Sequence, residues 1–471
     1  MKLRGLGRRC LVAAAIGGVL AAGAGCVHYR AQPISAEETA AVLSSRSLDD
    51  EGLRRFVAKC LDQEPPIWPL PRWDFEKLAL AAYYYQPSLG VARAEWAVAT
   101  AGQVTARQRP NPSLGLSGTY DTTTPPPWIP GVTLDVPIET AGKRGYRSTQ
   151  ARQLADAARW NLQATIWQVR SGVRAALVDL YSARETESLL ARQEAAQSEV
   201  VRLLEGQLAA GSVAGVEVTE VRIALGTTRL ARQQAQRQEG EALAGLADAI
   251  GLPVAALQNV VLSFAGLDEF PTALTEPEIR QQAVLNRADI RGALAEYAAT
   301  QSALQLEIAN QYPDIQLGPG YEYDQTDNKW TLAVLLTLPI LNQNQGPIAE
   351  ARARRTLAAA HFFAVQAKAM GQIDLALAGY GAAQRQSAAA GALQGDLQKR
   401  LDAVRAMHHE GEADALAMAS AQVEFNAGAL SRLDALTKAQ QALGQLEDAT
   451  QSPLRLPAAV LQQAELNPET K

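Results

Sequence analysis

The chain is poor in the residues that build catalytic or cross-linked sites. Three cysteines in 471 residues, Cys10, Cys26 and Cys60, make neither a disulfide framework nor a four-thiolate zinc site. There are only four histidines, His28, His361 and the adjacent His408 and His409, which leaves little material for a metal enzyme. Charge of one sign is lacking too. With 44 Lys and Arg against 49 Asp and Glu, there is no basic footprint, and nucleic acid is not an expected partner. There is no phosphate-cradling glycine loop, no paired-histidine metal helix, and no nucleophile with a base nearby. The glycines of Leu317-Gly318-Pro319-Gly320 lie within a strand pattern rather than at a strand-to-helix turn. No enzymatic activity, cofactor or bound metal is therefore expected. What the chain does have is apolar residues, 47% of the total, enough for a large core.

The N-terminus has the pattern of an export signal. Lys2, Arg4, Arg8 and Arg9 form a positive region, and Leu11 to Ala22 is apolar but too short to span a bilayer comfortably. Gly23-Ala24-Gly25-Cys26 is similar to a bacterial lipobox, in which the cysteine becomes the lipidated first residue. The plainer alternative is an ordinary signal peptide followed by an incidental cysteine.

Beyond it the sequence repeats at a separation of about 200 residues. Ala94-Glu95-Trp96 answers Ala295-Glu296-Tyr297, and Asn111-Pro112-Ser113-Leu114 answers Tyr312-Pro313-Asp314-Ile315. Tyr120 answers Tyr321, Trp128 answers Trp330, Val136-Pro137-Ile138 answers Leu338-Pro339-Ile340, and Gly211 answers Gly411. Landmarks in the same order at a nearly constant offset indicate an internal duplication. The divisions expected are a signal peptide over 1–25, an anchored segment with a proline-rich linker over 26–75, repeats over 76–270 and 271–452, and a polar tail over 453–471.

Each repeat has the same layout. Helical sequence over about 76–108 is interrupted near Pro87, and its counterpart covers about 276–310. Two short strands follow, each alternating apolar with polar residues as a half-buried strand does. Leu114, Leu116 and Tyr120 share one face, as do Val132, Leu134, Val136 and Ile138. Ile315, Leu317, Tyr321 and Tyr323, and then Leu332, Val334, Leu336 and Leu338, repeat the pattern, with Leu335 an exception on the polar side. The strand lengths suit tilted membrane strands, and the Trp and Tyr residues fall near strand ends, where aromatic girdles sit. Two ordinary hairpins on a soluble core are the alternative. Four strands cannot close a barrel alone, so the membrane reading needs several chains to share one. After the strands comes a proline-free stretch over about 146–210. In it Leu162, Ile166, Val169, Val173, Ala176 and Leu180 form a heptad seam. Val218, Val221, Leu225 and Thr228 continue the pattern on a returning arm, and Leu397, Leu401 and Val404 give a shorter run in the second copy.

An export signal, a lipobox-like Cys26 and a duplicated helix–two strands–long hairpin together resemble the TolC-like outer-membrane efflux family, over roughly residues 76–450. The fold class implied is mainly α with a small membrane β part: a homotrimer with an α-barrel and a shared twelve-stranded β-barrel in outer-membrane lipid. The function implied is the exit duct of a tripartite efflux pump, fed by an inner-membrane pump through a periplasmic adaptor and gated by splaying hairpin tips. A type-I secretion duct shares this fold, and a soluble periplasmic coiled-coil or adaptor protein is the remaining alternative.

Two local matches add detail. Gly211 followed by Glu217-Val218 resembles the family's hairpin-tip motif. It implies adaptor contact for Gly211, Glu217, Val218 and Glu220, and in the second copy for Gly411 and Asp414. That second copy departs from the motif, with Ala417-Met418 at the matching positions. Pro137-Ile138-Glu139-Thr140-Ala141-Gly142-Lys143-Arg144 is similar to the strand-to-helix junction of the heavy-metal, CzcC-like branch, which implies metal-cation cargo, with other small solutes as the alternative. Here Pro137 is expected to end the strand, Gly142 to bend the chain and Thr140 to cap the helix. Asp135 and Glu322, on the polar strand faces, are the expected lumen-lining residues. His408-His409-Glu410, just before Gly411, fits a solvated helix end better than a metal relay, because adjacent helical residues point about 100° apart.

Overall fold

The computed structural model describes residues 27–452, apart from 124, 269 and 271–275. The expected signal segment, Cys26 and the tail over 453–471 lie outside the described residues. Residues 27–46 belong to a unit of their own with one helix, α1 (Ala36–Ser44), whose first turn is capped by Ser35.

The second unit starts at Ser47. Helix α2 (Glu51–Leu61) buries Leu53, Phe56, Val57 and Cys60, spaced three and four residues apart as one helical face requires. The proline-rich stretch after it has no helix or strand. It does not run free, however: Trp68 and Leu70 pack on the core, and Trp68 Nε1 donates to the Asp49 carbonyl at 2.9 Å. Helices α3 (Phe75–Tyr85) and α4 (Pro87–Arg107) are divided at Gln86. Pro87 takes the first position of α4, where its missing N–H costs nothing.

Strands β1 (Ser113–Tyr120) and β2 (Trp128–Ile138) follow, and then α5 (Lys143–Ala209) and α6 (Gly215–Ile250) form a hairpin. The order then recurs: α7 (Glu276–Asn286), α8 (Ala288–Ala309), β3 (Ile315–Asp324), β4 (Asp327–Leu336), α9 (Gln345–His409) and α10 (Ala415–Thr450). With 67 residues, α5 is about 100 Å long at 1.5 Å per residue. The heptad seam is buried as the spacing requires: Leu162, Ile166, Val173 and Leu180 are at most 1% exposed. Together with Leu53, Leu78, Leu246 and Ile250 they form the main core, where α2, α3, α5 and α6 meet. Each such leucine contributes about 1.5–3 kcal/mol relative to exposure.

The break between α7 and α8 is not visible in the residue pattern. It falls at Arg287, which is 5% exposed. Its guanidinium donates to Asp289, to Gln372 Oε1 at 2.9 Å and to the Ala449 carbonyl at 2.7 Å. Contacts from distant helices therefore set this boundary. The four long helices pack in the order α6–α5–α10–α9, and the four strands form one antiparallel sheet in the order β1–β2–β3–β4. Both layers join the two copies through their middle members.

Candidate functional site

The sheet sorts most of its side chains by chemistry, with Ile129, Ala333 and Leu335 on the otherwise polar face. Leu116, Val132, Tyr321 and Trp330 stand in one row across all four strands, as the register shows. Leu114, Leu134, Val334, Leu336, Trp128 and Tyr120 lie on the same face. That face is uncovered in the single chain: Leu116 is 77% exposed, Leu332 70% and Trp330 80%. Each tryptophan packs on a cross-strand tyrosine, Tyr120 with Trp128 at 5.0 Å and Tyr321 with Trp330 at 4.9 Å between ring centroids. A contiguous exposed apolar surface of this kind marks an interaction site for lipid or protein.

The opposite face carries a row of Gly115, Thr133, Gly320 and Thr331, and beside it Ser117, Gly131, Glu322 and Lys329. Its glycines make room for hydroxyls. A Cβ at Gly115 would stand 2.5 Å from Thr133 Oγ1, and one at Gly320 would stand 2.6 Å from Thr331 Oγ1. Asp135 is exposed on this face beside Gly318, and Glu322 is half-buried opposite Lys329, which is ion-paired with Asp324. Leu335 also lies on this side, as its register opposite Gln316 dictates. β1 pairs only with β2 and β4 only with β3 among the described residues, so both outer edges carry unpaired backbone. No described helix is long and apolar enough to cross a membrane.

Below the strands, the junction differs from two of the sequence expectations. Pro137 does not end β2: it pairs opposite Gln316, and the strand continues to Ile138. The proline is tolerated because β1 pairs no further than Asp135, so β2 has no partner on that side to need an N–H. Thr140 does not cap α5. Its hydroxyl donates to the Pro313 carbonyl at 2.7 Å and its N–H to Asp314 at 3.0 Å, tying the first copy to the second. Ala141 and Gly142 both have positive φ, and the helix starts at Lys143 with no side-chain cap. Gly142 provides the bend, with a φ of +73°.

At the hairpin tips, Gly211 and Gly411 adopt φ of +74° and +80° with open space around them. The tip acids differ in what they do. Glu217 accepts from the Ala214 N–H at 3.3 Å and Asp414 from the Ala417 N–H at 2.7 Å, so both close the first turn of the returning helix. Val218 is 1% exposed and packs against Val200, Leu204 and Ala419. It therefore does not face outward. Glu220 is exposed and has no ion pair among the described residues. His408 Nδ1 lies 2.8 Å from the Ala413 carbonyl, and no group of three metal-ligating side chains occurs among the described residues.

Sequence reasoning missed the seam between the copies. Arg170 on α5 meets Glu447 on α10 at 3.0 Å, with Arg174 Nε 3.6 Å from the same oxygen. Trp167 Nε1 donates to Asp448 at 3.0 Å, and Arg174 donates to the Gln440 carbonyl at 2.7 Å. The only sequence signal was a base, Arg170, set between the seam residues Val169 and Val173. Nearby, burial pushes the Asp289 carboxyl up, but the Arg287 hydrogen bonds outweigh it and hold the group below its ordinary value.

Comparison with known proteins bears on this arrangement. The model of the outer membrane efflux protein family matches residues 82–252. The chain is 27% identical over 223 residues to the cobalt-zinc-cadmium resistance protein CzcC of Cupriavidus metallidurans, covering 45% of this chain and 50% of that one. It is also 27% identical over 203 residues to the pyoverdine export outer membrane protein OpmQ of Pseudomonas aeruginosa, covering 43% and 42%. The matches thus span about half the length of these relatives or less. The structure of the outer-membrane channel OprN superposes with a TM-score of 0.66 at 18% identity, covering 91% of this chain and 99% of that one. This likeness shows the fold for both copies.

Proposed function

We propose that this chain is a member of the outer-membrane efflux protein family and forms the outer-membrane exit duct of a tripartite efflux pump. One observation carries the reading: a four-stranded sheet with an uncovered apolar face, a polar glycine-and-hydroxyl face and two unpaired edges. In hydrocarbon, unpaired backbone costs several kcal/mol per group, so the edges must close. The edges are β1 and β4, and the outer members of the helical layer are α6 and α9. Head-to-tail pairing of successive copies closes both layers in the same sense, and a homotrimer gives a barrel of twelve strands. Val216, Ile223 and Leu230 on α6 support this, for they are exposed and repeat every seven residues along a helix on the open side of the layer.

The apolar face then meets lipid and the polar face lines the lumen, where Asp135 and Glu322 stand over the passage. Cys26, if acylated, adds a lipid anchor. The duct performs no covalent chemistry. An inner-membrane pump drives transport through a periplasmic adaptor, which meets the tips around Gly211 and Gly411. Among the outward tip acids Glu220 is free for that contact, whereas Glu217 and Asp414 shape the turns. The cargo proposed is a metal cation. This rests on the relative named for cobalt, zinc and cadmium resistance and on the excess of acids over bases on the polar face, where Asp135, Glu322, Asp324 and Asp327 outnumber Lys329.

The test is insertion of the purified protein into a planar bilayer under a salt gradient. Discrete conductance steps with a cation-selective reversal potential are expected. A protein that stays in the aqueous phase and leaves the bilayer insulating would refute the reading.

A further inference from the structure

The junction between β2 and α5 carries more positive charge than its carboxylates neutralise. Arg107, Arg109, Lys143, Arg144 and Arg147 gather there, because Arg147 donates to the Ala106 carbonyl at 3.0 Å and the Gln108 carbonyl at 3.1 Å. Glu139 takes Arg147 at 2.7 Å and Asp314 takes Lys143 at 2.8 Å. Among the described residues Arg107 reaches only the Ser148 hydroxyl, at 3.4 Å. Arg109 and Arg144 have no acidic partner among the described residues.

These two free arginines line one groove of about 700 Å³. Its other walls include Val136 and Ile138, the last members of the apolar face of β2. The groove is therefore basic on the helical side and apolar on the strand side. Helix α5 starts in it with no side-chain cap and no acid in its first turn, but with Lys143 and Arg144. Bases at that end oppose the helix dipole, and an anion there would be favoured by both. The second copy has no such charge: between β4 and α9 it runs Leu338-Pro339-Ile340-Leu341-Asn342-Gln343-Asn344, with Ile340 and Leu341 74% and 95% exposed.

We propose that this rim is a phospholipid site, in which Arg109 and Arg144 hold the phosphate of an anionic diacyl phospholipid in the leaflet on the helical side. Its acyl chains run along Val136 and Ile138, and Ile340 and Leu341 enter the same leaflet. The inference rests on the reading of the strands as membrane-spanning. The apolar wall selects a lipid rather than a free phosphate. Basic side chains at such a surface attract anionic headgroups by roughly fivefold each.

The full-length protein in detergent is titrated calorimetrically with short-chain phosphatidylglycerol, short-chain phosphatidylcholine and inorganic phosphate, and flotation on phosphatidylcholine vesicles is scored separately. Phosphatidylglycerol should bind at least tenfold tighter than phosphatidylcholine, and inorganic phosphate should not bind at the same concentration. Arg109→Gln/Arg144→Gln should weaken phosphatidylglycerol roughly 25-fold while still floating, and Arg109→Lys/Arg144→Lys should restore most of the affinity. Equal phosphatidylglycerol affinity in the glutamine variant, or phosphate binding as tight as the lipid, overturns the site. A wild-type protein that floats without preferring phosphatidylglycerol overturns the site alone. One that fails to float overturns the membrane reading and the site with it.

Discussion

Arg170 and Glu447, 277 residues apart, form an ion pair of 3.0 Å in which the side chains are 1% and 3% exposed. Arg170 also lies over the rings of Trp167 at 4.8 Å and Phe75 at 5.1 Å. The pair joins the first hairpin to the second at the level of the main core, so it bears on how firmly the two copies are held together.

Removing one partner should therefore be far worse than removing both. Glu447→Gln leaves a buried guanidinium without its countercharge and should cost about 3–5 kcal/mol, whereas Arg170→Met/Glu447→Leu should cost clearly less, its remaining loss coming from Arg174, whose Nε lies 3.6 Å from the same carboxylate. Denaturant unfolding of the detergent-solubilised protein measures both. Equal losses in the single and double variants would show that the pair is not the determinant.

Glycines at three turns share the left-handed backbone and differ in what surrounds them. At Gly251, with φ of +85°, a Cβ would stand 2.9 Å from the Tyr85 carbonyl oxygen, whereas Gly211 and Gly411 have open space. Gly251→Ala should therefore destabilise by several kcal/mol through strain and a backbone clash, and Gly211→Ala by only about 1 kcal/mol. A bulky residue at Gly211 should weaken adaptor coupling and leave assembly intact. The check is thermal unfolding of both alanine variants, with an adaptor pull-down on Gly211→Trp. Undiminished adaptor capture by Gly211→Trp would remove the tip from the contact.

Asp289 should contribute to stability only above the acid range. Burial raises its pKa, but the Arg287 hydrogen bonds hold it below the ordinary aspartate value when folded. The unfolded chain then binds the proton more readily, so the contribution is present above about pH 4 and lost as pH falls through the folded value. Asp289→Asn should flatten the loss of thermal stability on acidification below about pH 5. An unchanged acid limb in that variant would rule out this source.

Much of the fold is legible in the residue pattern because local periodicity encodes it. Leu162 to Leu180 mark the buried seam of α5, the period-two faces mark all four strands, and Gly211 and Gly411 mark the hairpin turns. The features that were not legible are contacts between the copies, which have no period. Arg287 splits α7 from α8 because Gln372 and Ala449 receive its guanidinium. Thr140 turns from capping its own helix to bonding Pro313, because two successive positive-φ residues carry the chain away first. The buried position of Val218 likewise depends on Ala419 of the other hairpin, which a motif read along one copy does not contain.

Cross-linking between the strand edges tests the closed ring most directly. In a Cys60→Ala background, one cysteine is placed in β1 as Ser117→Cys and one in β4 as Lys329→Cys, and membranes are treated with a short bifunctional thiol reagent. Head-to-tail closure predicts dimer and trimer bands from the double variant and none from either single variant. Dimers from the β1 single variant, or a double variant that stays monomeric in the membrane fraction, would contradict it.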